Sequence, residues 1–362
     1  MTVTLRGMLI QRLDIPEAIR AQFAPFFAES SAGAVYRNPW PHAGIPKLTD
    51  VLRWKTQRNS LREANYRVRP LALPSAPLQD FESLAGSPTR VFWIGHASFL
   101  LDLDGARFVI DPIFGRAGGF VPRVTPAAAQ PDELRGLSAV LVTHGHHDHF
   151  DPAALRALAQ ANQTNQERTL FVVPKGLGRT LPRECRPSVE LDWWEYIDVS
   201  GTRVHLVPAQ HWHRRGAFDL NRALWGGYVL EATHRVFHSG DTGYFPGFEA
   251  IGRVFGGIDV ACLPLGAYEP RWFMGAQHMA PEQSLDALEA LSATHFVGMH
   301  WGAYDLSNEP LDAGPRLVHE HAALRGLAPE RLHVLLPGGS VALDGTRGAT
   351  SAEVRHRYLS SS

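Results

Sequence analysis

The sequence predicts an α/β fold whose strands deliver polar residues to one edge, and three features of it say so. Beyond Arg90, short apolar runs alternate with turns. Several of these runs stop at histidine or aspartate, and stretches with helical periodicity lie between them. Hydrophobic residues make up 44% of the 362 and charged residues 20%, the usage of a globular domain with a sizeable core rather than of a disordered chain or a coiled coil.

From Met1 to about Pro88 the chain is punctuated by proline and reads as an irregular N-terminal extension. Ile15, Ile19, Phe23 and Phe27 form one apolar stripe after Asp14 and Pro16. The segment has no basic face for a membrane surface, so the stripe is expected to pack on the body of the protein. Val91 to Ile94, Phe99 to Leu103 and Arg107 to Ile110 read as strands, with Asp104-Gly105 as a hairpin turn. Ala139 to Thr143 is a continuous apolar run, as in a strand buried on both faces, and it stops at His144-Gly145-His146-His147-Asp148-His149. Asp151 then supplies an N-cap and Pro152 the first helical position, and Leu155 and Leu158 continue the helix. Leu170 to Val173 reads as a further strand.

The second half repeats the alternation. Val204 to Val207 ends near His211, Val236 to His238 near Asp241, and Phe296 to Met299 at His300, while Pro281 to Leu291 is helical. Phe92 to Asp111 and Val204 to Asp241 share the order strand, glycine turn, strand, aspartate, which suggests an internal duplication. The expected division is an extension over 1–88, a body over 89–345 and a polar tail over 346–362.

Composition excludes several roles. A formal net charge of -1 argues against electrostatic capture of nucleic acid. Cys185 and Cys262 are far apart, which supports neither a disulfide framework nor a thiolate zinc site. The N-terminus lacks an apolar signal region, and no run reaches the ~18 apolar residues of a spanning helix, so a cytoplasmic location is expected, at most peripheral at the inner face of a membrane.

Histidine is the unusual component, with 18 residues. In HxHxDH, His144 and His146 project to the same side of an extended loop and can share one metal, while Asp148 and His149 follow the turn and can reach a second. Packing four such groups together without a ligand would carry a severe desolvation cost. Two cations ~3.5 to 4 Å apart can lower the pKa of a shared water to about 7 and stabilise an anionic transition state, so hydrolysis needs no serine or cysteine nucleophile. GxSxG is absent.

Taken in order, HxHxDH followed by His211, Asp241 and His300 resembles the metallo-β-lactamase superfamily. The resemblance implies a four-layer αββα sandwich, one metal held by His144, His146 and His211, another by Asp148, His149 and His300, and Asp241 between them. Two zinc ions are implied, although iron and manganese suit the same donors. Finer strings, Leu191-Asp192-Trp193-Trp194-Glu195, Pro208-Ala209-Gln210-His211-Trp212, Gly240-Asp241-Thr242-Gly243-Tyr244, Gly266-Ala267-Tyr268-Glu269-Pro270-Arg271-Trp272-Phe273-Met274 and His300-Trp301-Gly302, look like the N-acyl-phosphatidylethanolamine-hydrolysing phospholipase D family. Asn38-Pro39-Trp40 and Val51-Leu52-Arg53-Trp54 are similar too.

That family cleaves a phosphodiester to give phosphatidate and an N-acylethanolamine. The resemblance assigns His278 to substrate phosphate contact and catalysis, with Asp148 at the reacting centre and Asp111 orienting a ligand or the water. It implies a phospholipid substrate, peripheral membrane contact with Phe120 and Val121 as candidate insertion residues, and permits a homodimer through the extension. Trp193, Trp194, Trp272 and Phe273 are candidates to line an acyl cleft or to sit in the core. His96 matches a glycine-histidine turn with no chemistry assigned. The sequence departs from the family at Ala209, where serine is usual, at Met279-Ala280, where valine-aspartate is usual, and at Asp305. A di-metal lactonase or carboxylic ester hydrolase is the alternative enzyme. A non-catalytic metal-binding or ligand-sensing module would need a blocked ligand position, yet every donor type is present.

Overall fold

The computed structural model describes residues 9–32, 35–42, 44–61, 68–163, 169–345 and 351–358. Two eight-stranded sheets lie face to face. One runs in the order Gln11–Arg12, Glu195–Val199, Thr202–Val207, Gly227–Glu231, Arg235–His238, Ile258–Pro264, Ala293–Met299, Leu332–His333. The other runs Ser351–Arg357, Leu335–Asp344, Thr89–Gly95, Ser98–Leu103, Ala106–Ile110, Ala139–Leu141, Leu170–Pro174, Ser188–Leu191. Helices Gly247–Phe255, Pro281–Ala290 and Ala313–Leu324 flank the first sheet, and Pro77–Glu82 and Pro152–Ala161 the second. This is the four-layer αββα arrangement.

Side-chain alternation explains why the strands read as unbroken apolar runs. Val91 and Trp93 point into the core between the sheets, whereas Phe92 and Ile94 point to the outer core beneath the helices. Leu141 and Val172 face inward, Val140 and Val173 outward. Both faces are covered, so both parities are apolar. The Asp104-Gly105 turn has positive φ at both residues, 50° and 87°, the geometry that lets a two-residue loop follow the twist of its strands. Pro152 opens its helix with Asp151 accepting the Ala153 amide. Pro281 opens the later one, where Gln283 Oε1 accepts the Ala280 amide in place of a side-chain cap at position 280.

The two sheets carry the same sequence of pairings: four antiparallel, then three parallel. That pattern accords with a duplicated unit. It also gives the strands Thr89–Gly95, Ala106–Ile110, Ala139–Leu141, Thr202–Val207, Arg235–His238 and Ala293–Met299 a common direction within their sheets, so their C-terminal ends share an edge.

In the extension, Ile15, Phe23 and Phe26 are buried, and Ile19 and Phe27 pack against the same core. Trp193 and Trp194 are core residues, their indoles donating to the Trp225 and Phe26 carbonyls. Residues 346–362 were expected to be a polar tail, but Ser351–Arg357 is an edge strand with Ala352 and Val354 against the core. Its apolar alternation is two residues long, too short to register as a strand signal among Glu353, Arg355 and Arg357. The first eight residues and 359–362, which carry the N-terminal signal reading and the end of the tail, lie outside the described residues.

Candidate metal centre

At the shared edge, His144, His146, Asp148, His149, His211, Asp241 and His300 converge. His146 Nδ1 lies 3.0 Å from both His144 Nε2 and His211 Nε2. Asp241 Oδ2 is 3.8 Å from His144 Nε2 and 4.0 Å from His211 Nε2. Its other oxygen, Oδ1, is 3.2 Å from His149 Nε2 and 3.1 Å from His300 Nε2, and Asp148 Oδ2 stands 3.7 and 3.6 Å from that same pair. Asp241 therefore presents one oxygen to each of two donor groups.

Hydrogen bonds outside the cluster fix which nitrogen faces inward in three of the five rings. The Thr143 hydroxyl gives its proton to Asp111 Oδ2 at 2.6 Å, so it accepts from His144 Nδ1–H at 3.0 Å. His149 Nδ1–H donates to Asp111 Oδ2 at 2.7 Å, and His211 Nδ1–H to the Gln277 carbonyl at 3.2 Å. The Nε2 lone pairs of His144, His149 and His211 are thereby turned into one buried space, the arrangement of metal-ligating histidines supported by outer partners. Asp241 Oδ1 is buried there, and its nearest polar neighbours are the inward-facing Nε2 atoms of His149 and His300. Five imidazoles and two carboxylates converging in one largely buried space supply the nitrogen and oxygen donors that divalent metals take, so these residues fit such ions.

Charge divides the cluster. Burial, helped by neighbouring rings, holds His144 and His211 well below the ordinary imidazole range, and burial pulls His146 down to about 3. Burial acts against His149 and His300 as well, but Asp241 and Asp148 overcome it. His149 is raised well above its usual value and His300 to about 9. These two rings, each facing both carboxylates, are therefore the ones that carry positive charge when no cation is bound. Against the opposing effect of burial, His149, His300 and His96 hold Asp148 well below the usual carboxylate range.

His278 stands at the rim, 15% exposed, with Nδ1 3.8 Å from Asp241 Oδ2. Burial lowers its pKa to about 4, so the ring is neutral at pH 7. His146 and Asp148 are also partly exposed, and these three mark the open side from which a substrate would approach. Behind the cluster, His96, His300, Tyr304 and Glu309 line a cavity of about 20 Å³, room for about one water and too small for a substrate.

Asp111 lies wholly under the cluster, accepting from the Thr143 amide, the Thr143 hydroxyl and His149. It touches the candidate ligand His149 and is fully buried. Sequence reasoning missed two supports. Arg215 donates to the Gly145 and Phe150 carbonyls, at 2.6 and 3.0 Å, and so clamps the HxHxDH loop. His96, whose only sequence signal is a Gly-His turn, is 2% exposed and reaches Asp148.

Fold and site together define a metal-dependent hydrolase. The family model for the beta-lactamase superfamily domain matches residues 106–301, and the chain belongs to that superfamily. It is 30% identical over 310 residues to N-acyl-phosphatidylethanolamine-hydrolyzing phospholipase D 1 of Caenorhabditis elegans, covering 78% of this chain and 85% of that one. It is 32% identical over 248 residues to the mitochondrial N-acyl-phosphatidylethanolamine-hydrolyzing phospholipase D of Saccharomyces cerevisiae, covering 63% of this chain and 51%, about half, of the yeast protein. Among solved structures, Igni18, a metallo hydrolase from Ignicoccus hospitalis, shares the fold with a TM-score of 0.52 at 22% identity, covering 71% of this chain and 99% of that one.

Proposed function

We propose that the protein is a two-zinc phosphodiesterase of phospholipase D type that converts an N-acyl phosphatidylethanolamine to phosphatidate and an N-acylethanolamine. The similarity to the C. elegans phospholipase D over 85% of its length carries this reading. The two donor groups facing opposite oxygens of Asp241 support it. In this reading the hydrolase body spans 89–345 and residues 1–88 buttress it.

His144, His146 and His211 with Asp241 Oδ2 would hold one cation, and Asp148, His149 and His300 with Asp241 Oδ1 the other. When bound, the pair supplies Lewis acidity to a phosphoryl oxygen and a water-derived nucleophile at neutral pH. The new bond joins water oxygen to phosphorus, the bond from phosphorus to the ethanolamine oxygen breaks, and that oxygen takes up a proton. In this reading His278, at the rim of the site, would deliver it. The ring is neutral in the free protein, but a phosphate anion beside it favours the protonated form, and transfer to the alkoxide returns it to neutrality.

A lipid substrate suits the surroundings. Phe120, 67% exposed, lies beside His147, and Trp272, 43% exposed, sits on the short helix Arg271–Met274 that leads into His278. Trp272, unlike Trp193 and Trp194, is thus at the surface, and Phe273 beside it is half-buried, stacked on Trp54 at 4.8 Å. No helix among the described residues is long and apolar enough to cross a membrane, so the proposed membrane contact is peripheral. The reading permits a homodimer, whose mass light scattering would report.

The deciding assay uses purified, metal-quantified protein against N-acyl phosphatidylethanolamine and a lactone panel. Two metals per chain and release of the N-acylethanolamine are expected. Lactone turnover without phosphodiester cleavage would sink the assignment.

A further inference from the structure

Only His96 and Ala97 join Thr89–Gly95 to Ser98–Leu103, in the tightest of the connections that reach the metal centre. Gly95 and His96 both have positive φ, 120° and 60°. For histidine this backbone is unfavourable and persists where the surroundings hold it. Here both ends of the residue are engaged by the site. Its carbonyl accepts the His300 amide at 2.9 Å and the Trp93 indole at 2.8 Å. Its Nε2–H donates to Asp148 Oδ2 at 3.1 Å, and its ring centroid lies 4.0 Å from that of His300.

We propose that His96 is a positioning residue for the second metal: one two-residue turn holds the Asp148 carboxylate through the ring and the His300 backbone through the carbonyl. A buried histidine that merely filled the turn could satisfy its ring on backbone carbonyls. This one spends its nitrogen on the one candidate carboxylate ligand that belongs to a single metal. The duplicated sheet pattern places it independently. Thr89–Gly95 occupies in its sheet the position that Thr202–Val207 occupies in the other, and Ala106–Ile110 corresponds to Arg235–His238. His96 and Asp111 therefore follow the counterparts of the strands that lead to His211 and Asp241. In one sheet the pair faces the metals; in the other the same pair stands behind, with His96 on Asp148 and Asp111 on His149.

The inference rests on the two-metal reading, and zinc titration of the metal-free full-length protein separates the two. Wild type should bind two equivalents. His96→Asn keeps the turn, because asparagine tolerates positive φ, but its amide is too short to reach Asp148. It should bind the first equivalent as wild type does and the second ~10- to 100-fold more weakly. His96→Gln, with a donor near the Nε2 position, should recover most of that loss. Equal zinc binding by H96N and wild type would overturn the proposal. So would equal weakening in H96N and H96Q, which would make His96 a direct ligand or a packing residue, and so would weakening of both equivalents together. Fewer than two equivalents in wild type would remove the two-metal reading and this inference with it. Thermal melts of the metal-free variants report whether the fold is kept. Should H96N not fold, weaker second-site binding by a folded H96Q would still overturn the proposal.

Discussion

Asp111 accepts three hydrogen bonds from two residues and leaves no oxygen toward the cleft, which makes it a means of reading the tautomer of His149. In Asp111→Asn an amide N–H replaces one acceptor and confronts donors, so His149 loses the partner that turns its lone pair inward. Zinc affinity should fall ~10- to 100-fold with the fold retained, as competition with a chromophoric chelator would record. His278→Ala should do the reverse, leaving zinc content unchanged while turnover falls ~100- to 10,000-fold. Loss of zinc in that variant would place His278 among the ligands. Protonation gives a third test. Asp241 and Asp148 raise His300 to about 9 in the metal-free protein against the pull of burial. Because that folded value lies above the ordinary one, its stabilising effect is full below about pH 6.5 and is lost as pH rises through about 9. A cation must displace this proton, so zinc uptake releases protons below pH 9 and affinity climbs toward it. Calorimetric titration in buffers of unlike ionisation enthalpy measures the release, and none at pH 7 would contradict the assignment.

Strand ends carry the site, and that is why so much of it was legible in the sequence. Coverage on both faces turns Val91 to Ile94, Ala139 to Thr143 and Leu170 to Val173 into unbroken apolar runs, and a polar residue at the end of such a run stands out. His211, Asp241 and His300 could be located that way. His96 could not, because a residue in a two-residue turn looks like any hairpin connection, and its role depends on Asp148, which arrives from a separate loop. Trp193 and Trp194 were ambiguous for a related reason: aromatic pairs look alike in a cleft and in a core, and only the partners of their indoles decide. Spacing within the HxHxDH loop is constrained by packing as well as by ligation. A Cβ at Gly145 would lie 2.2 Å from His213 Cε1 and 2.5 Å from its Nδ1, with Leu177 beyond at 3.0 Å. His213 is itself buried, so Gly145→Ala must displace either that ring or the loop that carries His144 and His146. A loss of about 1–3 kcal/mol in a denaturant titration is expected from the overpacking, together with weaker zinc binding. Unchanged zinc affinity would show that the loop yields without moving its ligands.

Across the whole molecule, the extension and the duplicated sheets meet at His211. Asn38 Nδ2 donates to the His211 carbonyl at 3.0 Å, and Trp40 Nε1 donates to Gln210 Oε1 at 3.1 Å. Trp40 is buried, stacked on Phe245 at 5.0 Å and on Trp193 at 5.4 Å. A segment that looks accessory in sequence therefore fixes the loop that closes the first donor group, a loop that the other sheet does not need because its own counterpart turn is two residues long. Trp40→Ala removes a large buried ring and leaves Gln210 Oε1 without that donor, and should lower stability by about 3–5 kcal/mol. If the extension buttresses the site, zinc should also bind W40A more weakly, chiefly at the equivalent that His211 serves. Zinc should in turn recover part of the lost melting temperature, because a ligand bound only to the folded state stabilises it. Leu48→Ser, at an exposed position of the same extension, should change neither. A W40A protein that melts and binds zinc like wild type would reduce the extension to an appended segment, and the long loop that carries His211 near its start would then have to hold its own shape.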